Sequence, residues 1–173
     1  MTDIRTHCLT HLQNDQVQFN YRVAAVIQHE QHILLQGEPE STIWTLPGGS
    51  IQLHEASQTA LQRELYEELA IQAHVERLLW IAEQFYHDGE QYHHELCMIY
   101  AASLPEQPPQ HTQLEPIITS SDGSQGAIPL LFRWFALASL DTLPLYPTFL
   151  RSSISTLPAT PTHIVISDQL ATS

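Results

Sequence analysis

Four glutamates and one arginine fall between residues 55 and 68, inside the stretch LPGGSIQLHEASQTALQRELYEELAI that runs from Leu46 to Ile71. The segment from Glu55 to Leu69 lacks Gly and Pro and is dominated by Ala, Leu, Gln and Glu, which predicts a helix. On that helix Glu64, Glu67 and Glu68 stand at i, i+3 and i+4, so all three carboxylates share one face. Leu61, Leu65 and Leu69 form a neighbouring stripe able to pack against a core. Three like charges side by side repel one another. A divalent cation with a preference for hard oxygen ligands would neutralise them.

That cation points to a chemistry. Cleaving a phosphoanhydride requires charge on the phosphate oxygens to be neutralised and a water to be made nucleophilic, and Mg²⁺ or Mn²⁺ can do both. Glu64, Glu67 and Glu68 would hold the ion, with a backbone carbonyl of Gly48 or Gly49 completing the sphere. Arg63 would orient the cluster by pairing its rigid fork of donors with a carboxylate, that of Glu55. The competing reading is a solvated acidic helix face. The fixed offsets of Gly49, Glu55 and Arg63 weigh against it.

The same residues carry a resemblance. Gly49, five residues, Glu55, seven residues, Arg63-Glu64, then Leu65-Tyr66-Glu67-Glu68 resembles the signature of the Nudix hydrolases. One position departs, since the family usually has Gly where this chain has Ala70. That glycine lies at the helix C-terminus, where a left-handed residue is common, so the departure touches the helix exit and no charged position. The resemblance implies an α/β fold, a mixed β-sheet flanked by α-helices in an α/β/α sandwich, spanning residues 1–173 as one domain. It implies divalent-metal-dependent hydrolysis of a nucleoside diphosphate linked to another moiety: a nucleoside triphosphate, a nucleotide sugar such as ADP-ribose, or a dinucleoside polyphosphate. One glutamate would take the proton from the attacking water, and Glu64 is the choice made here. Members are often dimers, so a homodimer is an expectation.

Two other classes compete. A Nudix-like sensor would bind a nucleotide without cleaving it, but the carboxylates are intact. An isomerase acting on isopentenyl diphosphate would add a cysteine and further metal ligands, and Cys97 and the histidines form no such second set.

Composition bounds the partners. The chain has 173 residues, enough for one domain with a real core. Its six basic residues are all arginine, and against 19 acids they leave a net charge of -13. Binding to a nucleic-acid polymer through a basic patch is therefore not expected. An anionic phosphate ester could still be held if metal ions bridge it to the protein. Cys8 and Cys97 offer neither a disulfide framework nor a metal-ligand spacing. The N-terminal stretch has no apolar signal segment and no run reaches transmembrane length, so the expected compartment is the cytoplasm, with no membrane partner.

The elements that must position the acids follow from periodicity. Val23 to Ile27 form a continuous apolar run, as in a strand buried on both faces, with Ile33-Leu34-Leu35 returning beside it. Ile43 to Leu46 reads as a brief strand entering a glycine turn that would face phosphate ahead of the helix. Val75–Phe85 and His94–Ala102 read as strands joined at Asp88-Gly89. Pro105 to Pro129 reads as a long loop carrying Glu115 and Asp122, either of which could add a carboxylate to the site. Leu130–Leu137 is expected as a strand, Pro147 as a helix start, and His163–Ile166 as the last strand. Candidate substrate contacts outside the glutamate helix are His94, Glu95, Glu115 and Phe85, the last by stacking on a base.

Overall fold

The chain was described from a computed structural model, which covers residues 11–13, 17–39, 41–105, 117–119 and 128–167. Among the described residues nine strands and three helices follow in the order β1 (His11–Gln13), β2 (Val17–His29), β3 (His32–Gly37), β4 (Gly48–Ser50), α1 (Ser57–Leu69), β5 (His74–His87), β6 (Tyr92–Ser103), β7 (Ile117–Thr119), β8 (Ile128–Ala136), a 3₁₀ helix (Leu137–Thr142), α2 (Leu150–Ser153) and β9 (Thr162–Ser167). They build one mixed sheet in the order β7-β8-β3-β2-β6-β5-β9, with β1 and β4 also pairing to β2.

Strand β2 is the spine. On one side it runs parallel to β6 from Val17↔Tyr92 to Ile27↔Ala102. On the other it meets β1, β4 and β3 in turn, all antiparallel. Its centre is apolar because both faces are covered. Val23, Ala25 and Ile27 pack with Leu61, Leu65 and Leu69 of α1. Ala24 and Val26 pack on the opposite face with Trp44, Trp80, Leu140 and Leu150. Leu61 and Leu65 are fully buried. Burial of such a side chain stabilises by about 1.5–3 kcal/mol, which anchors α1 to the sheet and fixes which way its acidic face turns. The flanking helices are unequal: α1 has 13 residues, and α2, on the face opposite α1, has four.

Three local expectations are corrected. Trp44 and Thr45 make only isolated bridges, to Leu145 and Gln36, so 43–46 is not a strand. The glycines do not form a turn at a helix N-terminus. They are the short strand β4, with Val23↔Gly49 and Ala24↔Gly48 in register, and residues 51–56 separate them from α1. Gly48 has φ +148°, and any Cβ there would strike the Val23 carbonyl. The expected long loop contains β7, paired antiparallel with β8, while Glu115 and Asp122 lie outside the described residues. Ala70, where a glycine was expected, adopts φ 55° and ψ 25°, and its N–H donates to the Tyr66 carbonyl. The helix exit is thus left-handed despite the alanine, at the steric cost an L-residue bears there. No helix among the described residues is long and apolar enough to cross a membrane.

Candidate active site

Arg63 is the hub of the acidic face. Its Nε donates to Glu55 Oε1 at 2.9 Å and one terminal nitrogen to Glu55 Oε2 at 2.8 Å, a bidentate pair. The same nitrogen reaches the Ser50 carbonyl at 3.0 Å. The other terminal nitrogen donates to Glu64 Oε1 at 2.7 Å and to Glu67 Oε2 at 3.2 Å. One guanidinium therefore ties together β4, the turn before α1 and two of the helix acids. These bonds hold the Glu55 carboxyl below its ordinary range and raise Arg63 further above its own, Glu55 being the main cause.

The other acids are held in a less comfortable state. Glu64 lies against the Cα of Gly49, so closely that a Cβ there would run into its carboxylate. Burial raises the Glu64 pKa, outweighing the stabilising hydrogen bond from Arg63. Glu68 is 6% exposed, and its Oε2 has no hydrogen-bond partner. Burial, reinforced by the negative charge of Glu64, pushes the Glu68 pKa up to about 8. Glu67 is the outlying member, with 54% of its side chain exposed and only the longer bond to Arg63.

As the side chains are arranged here, no three His, Cys, Asp or Glu among the described residues are close enough to hold an ion. Arg63 engages one oxygen each of Glu64 and Glu67, and the Glu67 side chain is more than half exposed. The donor set nevertheless fits a hard cation. It consists of carboxylate oxygens, one of them buried with nothing to satisfy it, and such a group is costly unless a charge partner arrives. The backbone narrows the choice between the two glycines. Pro47 O accepts from Ala25 N and Tyr21 O accepts from Ile51 N, so the carbonyls of 47 and 49 face β2 in the antiparallel ladder. Ser50 O faces the other way, toward Arg63, and Gly48 O shares its side.

A cleft of about 310 Å³ opens on the sheet face opposite α1. Its floor includes Arg22 and Ala24 from β2, Glu95, Cys97 and Ile99 from β6, and Gln84 from β5. Arg22 is the register partner of Ser50 and acts electrostatically on Glu64 and Glu68, so the cleft abuts the acids. Glu95 is buried, accepts from Gln84 Nε2 at 2.9 Å and has Arg22 4.0 Å from its other oxygen. Cys97 sits beside it, its thiol pushed up to about 12 by burial.

The sequence-derived candidates divide accordingly. Arg63, Glu55, Glu64, Glu67, Glu68 and the two glycines are brought together. Glu95 faces the cleft. His94, its neighbour, points to the opposite face, as strand alternation requires. There it lies under Phe85, rings stacked at 4.4 Å, with Glu83 3.4 Å away. Phe85 borders the cleft, but its ring is committed to His94. Arg22 and Gln84 were not singled out from the sequence. The one signal for Arg22 was a charge at the head of the apolar run 23–27.

A model of the NUDIX domain family matches residues 18–155. The low-salt glycan biosynthesis protein Agl8 of Haloferax volcanii is 33% identical over 104 residues, 54% of this chain and 67% of that protein. Among solved structures, a NUDIX hydrolase from Nitrosomonas europaea superposes with a TM-score of 0.54 at 17% identity, over 90% of this chain and 81% of the other. An ADP-ribose pyrophosphatase from Streptococcus suis superposes with a TM-score of 0.52 at 18% identity, over 83% and 97%. At these identities the structures show likeness of fold.

Proposed function

The chain belongs to the Nudix hydrolase family, a family of pyrophosphohydrolases, and we propose that it hydrolyses the pyrophosphate linkage of a nucleoside diphosphate joined to another moiety, with Mg²⁺ or Mn²⁺ as cofactor. Nucleotide sugars such as ADP-ribose, nucleoside triphosphates and dinucleoside polyphosphates are the substrate class. The observation that carries the reading is Glu68: a buried carboxylate with an unsatisfied oxygen, beside Glu64 and Glu67 on the same helix face.

In this reading Glu64, Glu67, Glu68 and the Gly48 carbonyl hold the ion, which when bound neutralises phosphate charge and lowers the pKa of water. Each protein group then has a definite task. Glu64, fixed at Oε1 by Arg63 and raised in pKa by burial, accepts the proton of the attacking water at its other oxygen. Gly49 leaves the space that Glu64 occupies. Glu55 fixes the plane of the Arg63 fork, so that Arg63 sets the position of Glu64 rather than following it. Arg22 offers a positive charge to the substrate between the acids and the cleft.

The test is a panel of nucleoside triphosphates, nucleotide sugars and dinucleoside polyphosphates incubated with the protein and Mg²⁺, with products separated by ion exchange. The expected result is a nucleoside monophosphate plus the remaining phosphorylated half. Release of nothing from any member, with the protein folded and Mg²⁺ or Mn²⁺ present, would overturn the proposal.

A further inference from the structure

The floor and the wall of the cleft are built for different ligands. On the floor, Arg22, Glu95 and Gln84 stand in that order across β2, β6 and β5. They are turned toward one another. Gln84 Nε2 donates to one Glu95 oxygen at 2.9 Å, and Arg22 lies 4.0 Å from the other. Groups already facing each other in this way favour no particular nucleobase. The wall is apolar and comes from two loops, 43–46 and 144–147. They are zipped together where Trp44 N donates to Pro144 O and Tyr146 N to Trp44 O, each at 2.9 Å. Trp44 and Leu145 are buried, which pins both loops to the core and gives Ile43 and Tyr146 fixed places at the cleft.

Tyr146 is the residue of that wall with a flat face to offer. The Arg151 guanidinium lies 5.9 Å from the centre of its ring, and Arg151 Nε donates to Leu145 O at 3.3 Å. Arg151 is carried by α2, which fully buried Leu150 anchors to the core. Arg151 does not line the cleft, so it backs the ring from behind. A ligand in the cleft meets the other face. We propose that Tyr146 is the platform on which the nucleobase of the substrate stacks, and that Arg151 is the positioning residue that holds it. The assignment deepens the hydrolase reading, on which it rests for taking the substrate to be a nucleotide. Arg22 and Tyr146 line the same cleft, so a nucleotide with its phosphates at Arg22 can lay its base against Tyr146. Stacking uses the π-face that every base possesses. The cleft therefore accepts purine and pyrimidine nucleotides alike and discriminates against a phosphorylated sugar that carries no base.

The experiment is calorimetric titration of the full chain, in Mg²⁺, with AMP, GMP, CMP, UMP and ribose 5-phosphate. None of these has an anhydride to cleave, so binding is read without turnover. The nucleotides are expected within about tenfold of one another, and ribose 5-phosphate at least about tenfold weaker than AMP. Tyr146→Ala should bring AMP to within about threefold of ribose 5-phosphate, while Tyr146→Phe stays within about threefold of the parent chain. If the alanine variant does not fold, Tyr146→Leu makes the same comparison, losing the ring and keeping the bulk. Arg151→Gln should weaken AMP by about threefold in the parent chain and no further in Tyr146→Ala. An equal loss in both backgrounds removes Arg151 from its role. Ribose 5-phosphate matching AMP, or no ligand binding at all, would overturn the platform. So would Tyr146→Phe losing as much as Tyr146→Ala, since the contact would then be the hydroxyl. The two readings fail separately. Stacking in a protein that cleaves nothing removes the hydrolase reading, whereas cleavage with AMP binding unchanged in folded Tyr146→Ala removes the platform.

Discussion

The acidic face of α1 and the cleft across the sheet are built in opposite ways. Every group of the first comes from residues 48–68, held by one arginine whose bonds span β4, the following turn and the helix. The second takes Arg22 from β2 and Gln84 and Glu95 from the β5–β6 hairpin, dozens of residues later. On the proposed reading the reaction chemistry is compact in the chain, while the cleft beside it is assembled by strand pairing. Arg22, a cleft residue, links the two by its charge, which acts on Glu64 and Glu68.

The comparison breaks most visibly where the acids are neutralised. Glu67→Gln and Glu68→Gln should each lower kcat on the order of a thousandfold or more, for every substrate alike, with the fold retained by circular dichroism. If a variant lost one substrate and kept another, the division of labour would fail. Gly49→Ala comes next. Its methyl group displaces the Glu64 carboxylate, and a misplacement of that size should lower kcat by roughly a hundredfold. Gln84→Ala, in the cleft and away from the acids, should behave differently, raising KM while kcat at saturation moves little.

Two smaller effects sharpen the contrast. The Glu68 pKa in the metal-free folded chain stands at about 8, above the ordinary carboxylate range it has when unfolded. Between those values the folded form retains a proton that the unfolded form has released, so stability falls as pH rises through the window. A thermal melt in EDTA should therefore show Tm dropping from pH 5 to pH 8 more steeply than in Glu68→Gln. Added Mg²⁺ should restore more Tm at the alkaline end, because the ion needs the carboxylate ionised. Ala70→Gly should raise stability by about 0.5–1 kcal/mol through relief of the left-handed alanine, and leave turnover unchanged.

Legibility in the sequence followed the same division. The helix, its leucine stripe and the Arg63–Glu55 pair could be read because a helix places i, i+3 and i+4 together whatever surrounds it. The strand runs 23–27 and 33–35 were legible from apolarity. Gly48 and Gly49 were noticed, but their strand pairing was not, since a three-residue strand has no periodicity to show and its register is set by β2. The order Arg22, Glu95, Gln84 was hidden for a like reason: it depends on the parallel β2–β6 register, which no local pattern encodes. His94 was placed near substrate by the resemblance of its His-Glu pair to the family's strand start and Phe85 for its aromatic ring, while strand alternation turned the His94 side chain to the other face.

The central claim is that Glu64, Glu67 and Glu68 share one divalent ion. Titration of the metal-free protein with Mn²⁺, followed by electron paramagnetic resonance of the free ion, tests it most directly. The account predicts saturable binding at neutral pH that Glu68→Gln weakens by at least about tenfold and that the double variant Glu64→Gln, Glu68→Gln abolishes. Mn²⁺ binding unchanged in the double variant, or none in the parent chain, would contradict it.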